Sequence, residues 1–202
     1  MKTIRPAFGS VTWPLMATLL VFAAGCSTTI ERPLTDDQNG VVELDRGYTQ
    51  LDSLLSDESS VADILVIKSA GEDLSRLLKN ISKLAKSDLA EIRRLYSLAP
   101  SIDPSGDGLP RIEADARTRI RNQQTKLLIM SGGEEFEVLI LLTQEKATDY
   151  IESICRSLSK ADPQEQRSKM LATMADGWME LNRRARSLFL IRDDVEIPGD
   201  QD

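Results

Sequence analysis

Residues able to do covalent or acid–base chemistry are few in this 202-residue chain. There is no histidine, and there are two cysteines, Cys26 and Cys155. A serine or cysteine nucleophile needs a neighbouring base to take its proton, and histidine is the usual one. A Ser–Lys pair would also serve, but no motif announces one. Cys155 follows Ile151 and Ile154 at helical spacing and reads as a small buried hydrophobe. Gly132-Gly133 lacks the Lys-Ser/Thr that completes a phosphate-binding loop. Catalysis is therefore not expected, and neither is a cofactor.

The acids offer two metal arrangements, and both are incomplete. Asp103-Pro104-Ser105-Gly106-Asp107-Gly108 places oxygen-bearing side chains at the first, third and fifth positions of a calcium loop, with glycine at the sixth. Its eighth position is Pro110. The bidentate carboxylate due at the twelfth is replaced by Ala114, with Glu113 one place early. A solvated turn is the expected outcome. Glu134, Glu135, Glu137, Glu145, Asp149 and Glu152 could supply carboxylates to a di-metal centre in a helical bundle, but such centres also take a histidine from each of two helices. Glu145, Asp149 and Glu152 share a helical face near Lys146 and Arg156, as surface charges do. No metal site is expected.

Cys26 stands in a more specific setting. Lys2 and Arg5 precede a mostly apolar run, Val11 to Ala24, that ends in Ala23-Ala24-Gly25-Cys26. The run is shorter than the roughly 20 apolar residues a spanning helix needs, and it has the charged start and short apolar centre of an export signal. Ala23-Ala24-Gly25-Cys26 resembles the lipobox of bacterial lipoproteins, with Ala23 in place of the commoner leucine. The resemblance implies cleavage between Gly25 and Cys26, a diacylglycerol on the Cys26 thiol, and membrane attachment through two or more palmitate-like acyl chains, enough for stable anchoring. Ser27, where an inner-membrane retention signal has Asp, implies the outer membrane, facing the periplasm.

Charge narrows the partners. The chain has 25 basic and 32 acidic side chains. Removing Lys2 and Arg5 with the leader leaves 23 against 32, a net charge of −9. Nucleic acid is not expected as a partner, because neutralising phosphates needs a basic face. The densest basic cluster, Arg117, Arg119 and Arg121, follows Glu113 and Asp115 and reads as a solvated helix face. The expected partners are the membrane, through the lipid, and a protein of the envelope.

The rest of the chain is patterned for helices. Val41 to Leu55 is weakly helical, and Ser60-x-x-Asp63 offers a capped start for Val61 to Ala70, with a kink or break at Gly71. Leu74, Leu77, Leu78, Ile81, Leu84, Leu89, Ile92, Leu95 and Ala99 form one apolar stripe that Pro100 ends. Ile112, Ala116, Ile120, Leu127 and Met130 mark another helix. Ser131-Gly132-Gly133-Glu134 is a capping box interrupted by glycines, and the helix after it carries Phe136, Leu139, Ile140, Ile151, Ile154 and Leu158. Asp162-Pro163-Gln164-Glu165 predicts a helix start with Asp162 as the cap. Leu171, Met174, Trp178, Leu181, Ala185 and Leu188 then alternate spacings of three and four, the seam of an antiparallel bundle. Met174 and Trp178 are expected in the core; Met170 and Met179 flank the seam.

This pattern predicts an all-α, up-and-down antiparallel bundle of four to five helices. The expected organisation is an export signal over 1–25, a flexible tether over 26–42, the bundle over 43–192 and an acidic disordered tail over 193–202. Gly132-Gly133-Glu134-Glu135-Phe136-Glu137 opening a long helix, with Asp162-Pro163 before the last, is similar to the turns of exported ferritin-like four-helix proteins of unassigned function. That family carries Asp-His pairs on its helices. Here Gln144-Glu145-Lys146 and Trp178-Met179 stand in their place, so the resemblance implies the fold and carries no metal role with it. The functional expectation is a lipid-anchored envelope protein with a structural or interaction role. The alternative is a ferritin-like protein that binds a metal or ligand through acids alone.

Overall fold

The computed structural model describes residues 37–105 and 108–193, which belong to one compact unit, Leu34–Asp202. Among the described residues there is no strand. Five α-helices follow one another: α1 Asp37–Ser59, α2 Glu72–Leu95, α3 Arg111–Met130, α4 Gly133–Ala161 and α5 Glu165–Asp193. A 3-10 segment, Val61–Val66, links α1 to α2. The expected all-α antiparallel bundle is present. The export signal, Gly25, Cys26 and residues 194–202 of the tail lie outside the described residues.

Four helices build the core. α4 packs along α5, α1 along α2, and the two pairs meet through α1 with α4 and α2 with α5. The apolar stripes cause this arrangement: each helix hides one stripe and leaves charge outside. Leu51, Leu55, Leu78, Ile81, Phe136, Ile151, Leu171 and Trp178 are fully buried, and among the described residues the core runs from Leu44 to Phe189. Met174, Trp178 and Cys155 are buried, as their places on the stripes predict. Met170 is half-buried and Met179 exposed. α1 and α4 approach closely at Gly47, where a Cβ would stand 2.6 Å from Leu158 Cδ2.

Several local expectations are corrected. α1 begins at Asp37, so residues 37–42, expected in the tether, are helical. Ser60 caps nothing: its Oγ donates back to the Asp57 carbonyl, and the next segment is a short 3-10 turn instead of a helix reaching Ala70. α2 stops at Leu95, before Pro100, as turn hydrogen bonds tighten through Leu98 and Ile102 folds back onto the Tyr96 carbonyl. α5 starts at Glu165. Its cap is Gln164, whose Oε1 accepts from the Arg167 amide at 2.8 Å, while Asp162 accepts from the Gln164 amide at 2.8 Å. Asp162 is released from capping for another purpose. Ser131 likewise does not cap α4; Gly132 precedes that helix and Gly133 enters it at φ +56, a left-handed conformation that glycine adopts without strain.

Asp162 anchors the most buried polar network. Arg167, fully buried, donates from Nε to Asp162 Oδ2 at 2.7 Å and from Nη2 to Oδ1 at 3.0 Å. Its Nη1 donates to the Leu98 carbonyl at 2.7 Å, and the Tyr48 hydroxyl donates to Asp162 Oδ2 at 2.6 Å. Burial acts to raise the Asp162 carboxyl, but the hydrogen bonds from Arg167 and Tyr48 outweigh it and hold the group below its ordinary value. One charge pair therefore ties α1, the loop after α2 and the α4–α5 corner together.

Candidate functional site

α3 breaks the pattern of its neighbours. None of its residues is buried, and its contacts with α4 are few. The apolar residues that mark this helix, Ile112, Ala116, Ile120, Leu127 and Met130, are exposed, with Ile112 at 86% and Met130 at 73%. A different side of the helix meets the bundle. Leu128 packs against the core, and Arg117 Nη1 donates to the Tyr150 hydroxyl at 2.9 Å with its guanidinium 5.1 Å above that ring. Arg121 pairs with Asp57 of α1 at 3.1 Å. Polar ties fix the orientation, and they turn the apolar stripe outward.

Beneath α3 runs an open groove of about 850 Å³ between α1, α3 and α4. Leu54, Leu139, Leu142, Ala147, Ile120 and Leu127 give it apolar walls, and Arg121 and Lys146 also line it. Glu58 also lines it, and is buried. Burial pushes the Glu58 carboxyl up to about 7, against a hydrogen bond from the Gln144 side chain that favours the charged form. Glu58 Oε2 and Gln144 Oε1 have no hydrogen-bond partner. Sequence pattern missed this pair: Glu58 sits in the polar run Asp57-Glu58-Ser59-Ser60, and Gln144 in the polar run Gln144-Glu145-Lys146.

A second groove, also about 850 Å³, lies between α2 and α5 and is lined by Leu84, Asp88, Arg94, Met170, Met174 and Gly177. Asp88 accepts a hydrogen bond from Trp178 Nε1 at 2.9 Å. Burial raises its carboxyl to about 6, although the Trp178 bond opposes the shift.

The acids and the thiol singled out from the sequence are dispersed. Among the described residues no three metal-ligating side chains come together. Glu145 pairs with Arg186 of α5 at 2.8 Å, Asp149 with the same arginine at 3.6 Å, and Glu152 with Arg156. Glu137 accepts from the Gly71 amide at 2.6 Å; Glu134 and Glu135 are exposed in the first turn of α4. Asp103 Oδ1 accepts from the Ser105 amide at 3.0 Å, a local turn, and Asp107 lies outside the described residues. Burial pushes the Cys155 thiol up to about 12, which keeps it protonated and unreactive at neutral pH.

No protein-family model matches the chain, and neither a curated protein nor a solved structure is significantly similar to it.

Proposed function

We propose that the chain is a lipid-anchored cell-envelope protein with a structural or interaction role. Its leader directs export, Cys26 carries the acyl chains, and the outer membrane holds it facing the periplasm. The bundle acts by binding, with α3 and the groove beneath it as the interaction face.

The exposed stripe of α3 carries this reading. Of the twelve large hydrophobics that stand exposed among the described residues, five, Ile112, Ile120, Leu127, Ile129 and Met130, lie on this one helix. Contiguous apolar surface is costly to leave in water, and where it persists it marks an interaction site. The inert Cys155 thiol and the lack of any histidine support binding over catalysis.

Two measurements test the proposal. Cys26→Ala should move the chain from the membrane fraction to the soluble fraction of a bacterial host; retention in the membrane overturns the anchor. A photo-crosslinking residue at Ile120 should capture an envelope component, lipid or protein, that one placed at Lys79 does not. Equal labelling at both positions overturns α3 as the interaction face.

A further inference from the structure

The charge on α3 identifies what its exposed face meets. The helix carries Arg111, Arg117, Arg119, Arg121 and Lys126 against Glu113 and Asp115, a net charge of +3 in a chain of −7. Arg117 and Arg121 are engaged by Glu113 and Asp57. Among the described residues, Arg111, Arg119 and Lys126 pair with no acid. On a helical wheel of 100° per residue, Arg119 and Lys126 border one side of the stripe of Ile112, Ile120, Leu127 and Met130, with Asp115 beyond them, and Glu113, engaged by Arg117, borders the other. Apolar side chains edged by unpaired cations are the pattern of a helix lying in a membrane interface.

The patch extends past the helix end. Lys68 Nζ donates to the carbonyl of Ser131, the residue after Met130. This bond holds the 61–70 segment beside the end of α3, and there Val66 and Ile67 are 86% and 65% exposed. Those two side chains are otherwise unexplained: they neither fill the core nor cover another helix.

We propose that this face of α3, with Val66 and Ile67 at its end, docks on a bilayer surface bearing anionic lipid headgroups. The inference rests on the reading of α3 as the interaction face and names its partner. α3 spans 20 residues, about 30 Å at 1.5 Å per residue, so it can lie along a surface rather than insert a single point. The ten residues between Cys26 and Asp37 reach at most about 35 Å when extended, which confines a Cys26-anchored bundle to the neighbourhood of the membrane. A second copy fits the face less well. Symmetric pairing of α3 with itself would set Arg119 and Lys126 against their own counterparts.

The test uses residues 34–202, the compact unit that holds the core of the described residues, with its fold checked by circular dichroism, so that no acyl chain or leader contributes. Its flotation with phosphatidylglycerol-containing vesicles is compared with pure phosphatidylcholine vesicles. Binding to the anionic vesicles alone is expected, and it should disappear at about 0.5 M salt, where screening shortens to a few Å. Arg119→Ser with Lys126→Ser should weaken partitioning about 30-fold, because each basic residue near such a surface contributes a factor of roughly five. Ile120→Ser with Met130→Ser should weaken it as well, with the helical circular dichroism signal unchanged. Equal binding to both vesicle types, no binding to either, or unaltered binding by both double variants would overturn the proposal. A concentration-dependent dimer abolished by Met130→Ser, without vesicle binding, would give the face to a second copy. Failure on vesicles with protein crosslinking retained at Ile120 overturns the lipid partner and leaves the interaction face standing.

Discussion

Glu58 of α1 and Gln144 of α4 are neighbours in the interior, and one acceptor oxygen of each, Oε2 and Oε1, lacks a partner. Two such acceptors cannot bond one another unless one carries a proton. A buried carboxyl in this position favours its neutral form, and the upward shift of Glu58 to about 7 is the same fact expressed as a proton affinity.

A pH dependence of stability follows. The folded-state value lies above the unfolded one, near 4.5, so the folded chain binds a proton that the unfolded chain releases. The Glu58 contribution is full below about 4.5 and is lost as pH rises to about 7. Asp88, raised to about 6 from 3.8, acts in the same direction over a lower window. Thermal unfolding should therefore occur at higher temperature at pH 5 than at pH 8. Glu58→Gln should remove most of that difference by stabilising the protein at pH 8 by about 1–3 kcal/mol. A melting temperature that is flat between pH 5 and 8 in the parent chain would contradict this assignment.

The Arg167–Asp162 pair should behave as a buried charge pair. Arg167→Met leaves the Asp162 carboxylate in the interior without its counter-charge, held only by the Tyr48 hydroxyl and the Gln164 amide, a loss of about 3–5 kcal/mol. Arg94→Ala removes an exposed, solvent-screened pair with Glu91 and should leave stability nearly unchanged. Urea denaturation of both variants measures the contrast. Equal effects would mean that the Asp162 network contributes no more than a surface contact.

The exposed stripe and the core stripes should respond differently to the same chemistry. Met130→Ser on α3 should alter stability by no more than about 0.5 kcal/mol, since that side chain keeps most of its surface in water on folding. Ile81→Ala, in the core, should cost about 2–5 kcal/mol. A comparable loss from Met130→Ser in thermal unfolding would show that α3 packs its stripe inward.

Much of the fold was legible because α2, α4 and α5 bury the same stripes that their three-and-four spacing announces. Leu78, Ile81, Ile151 and Trp178 follow from periodicity alone. α3 itself was legible, but the outward turn of its apolar side was not, for a physical reason. Its apolar residues are as periodic as theirs, but its orientation is fixed by Arg117 on Tyr150 and Arg121 on Asp57, and periodicity does not weigh such ties. Asp162 looked like a cap because its partner Arg167 is five residues away, where a short-range signature does not search. Glu58 and Gln144 were illegible for a related reason: 86 positions separate them, and neither shows a local signal of burial. The acids of α4 were read as surface charges, and their pairing with Arg186 and Arg156 accounts for their spacing.

The central claim is attachment through Cys26, and the mass of the mature N-terminal peptide tests it most directly. Protein recovered from bacterial membranes should yield a peptide that begins at Cys26 and carries the added mass of diacylglycerol on its thiol. A mature chain that begins elsewhere, or a Cys26 with an unmodified thiol, would contradict the account.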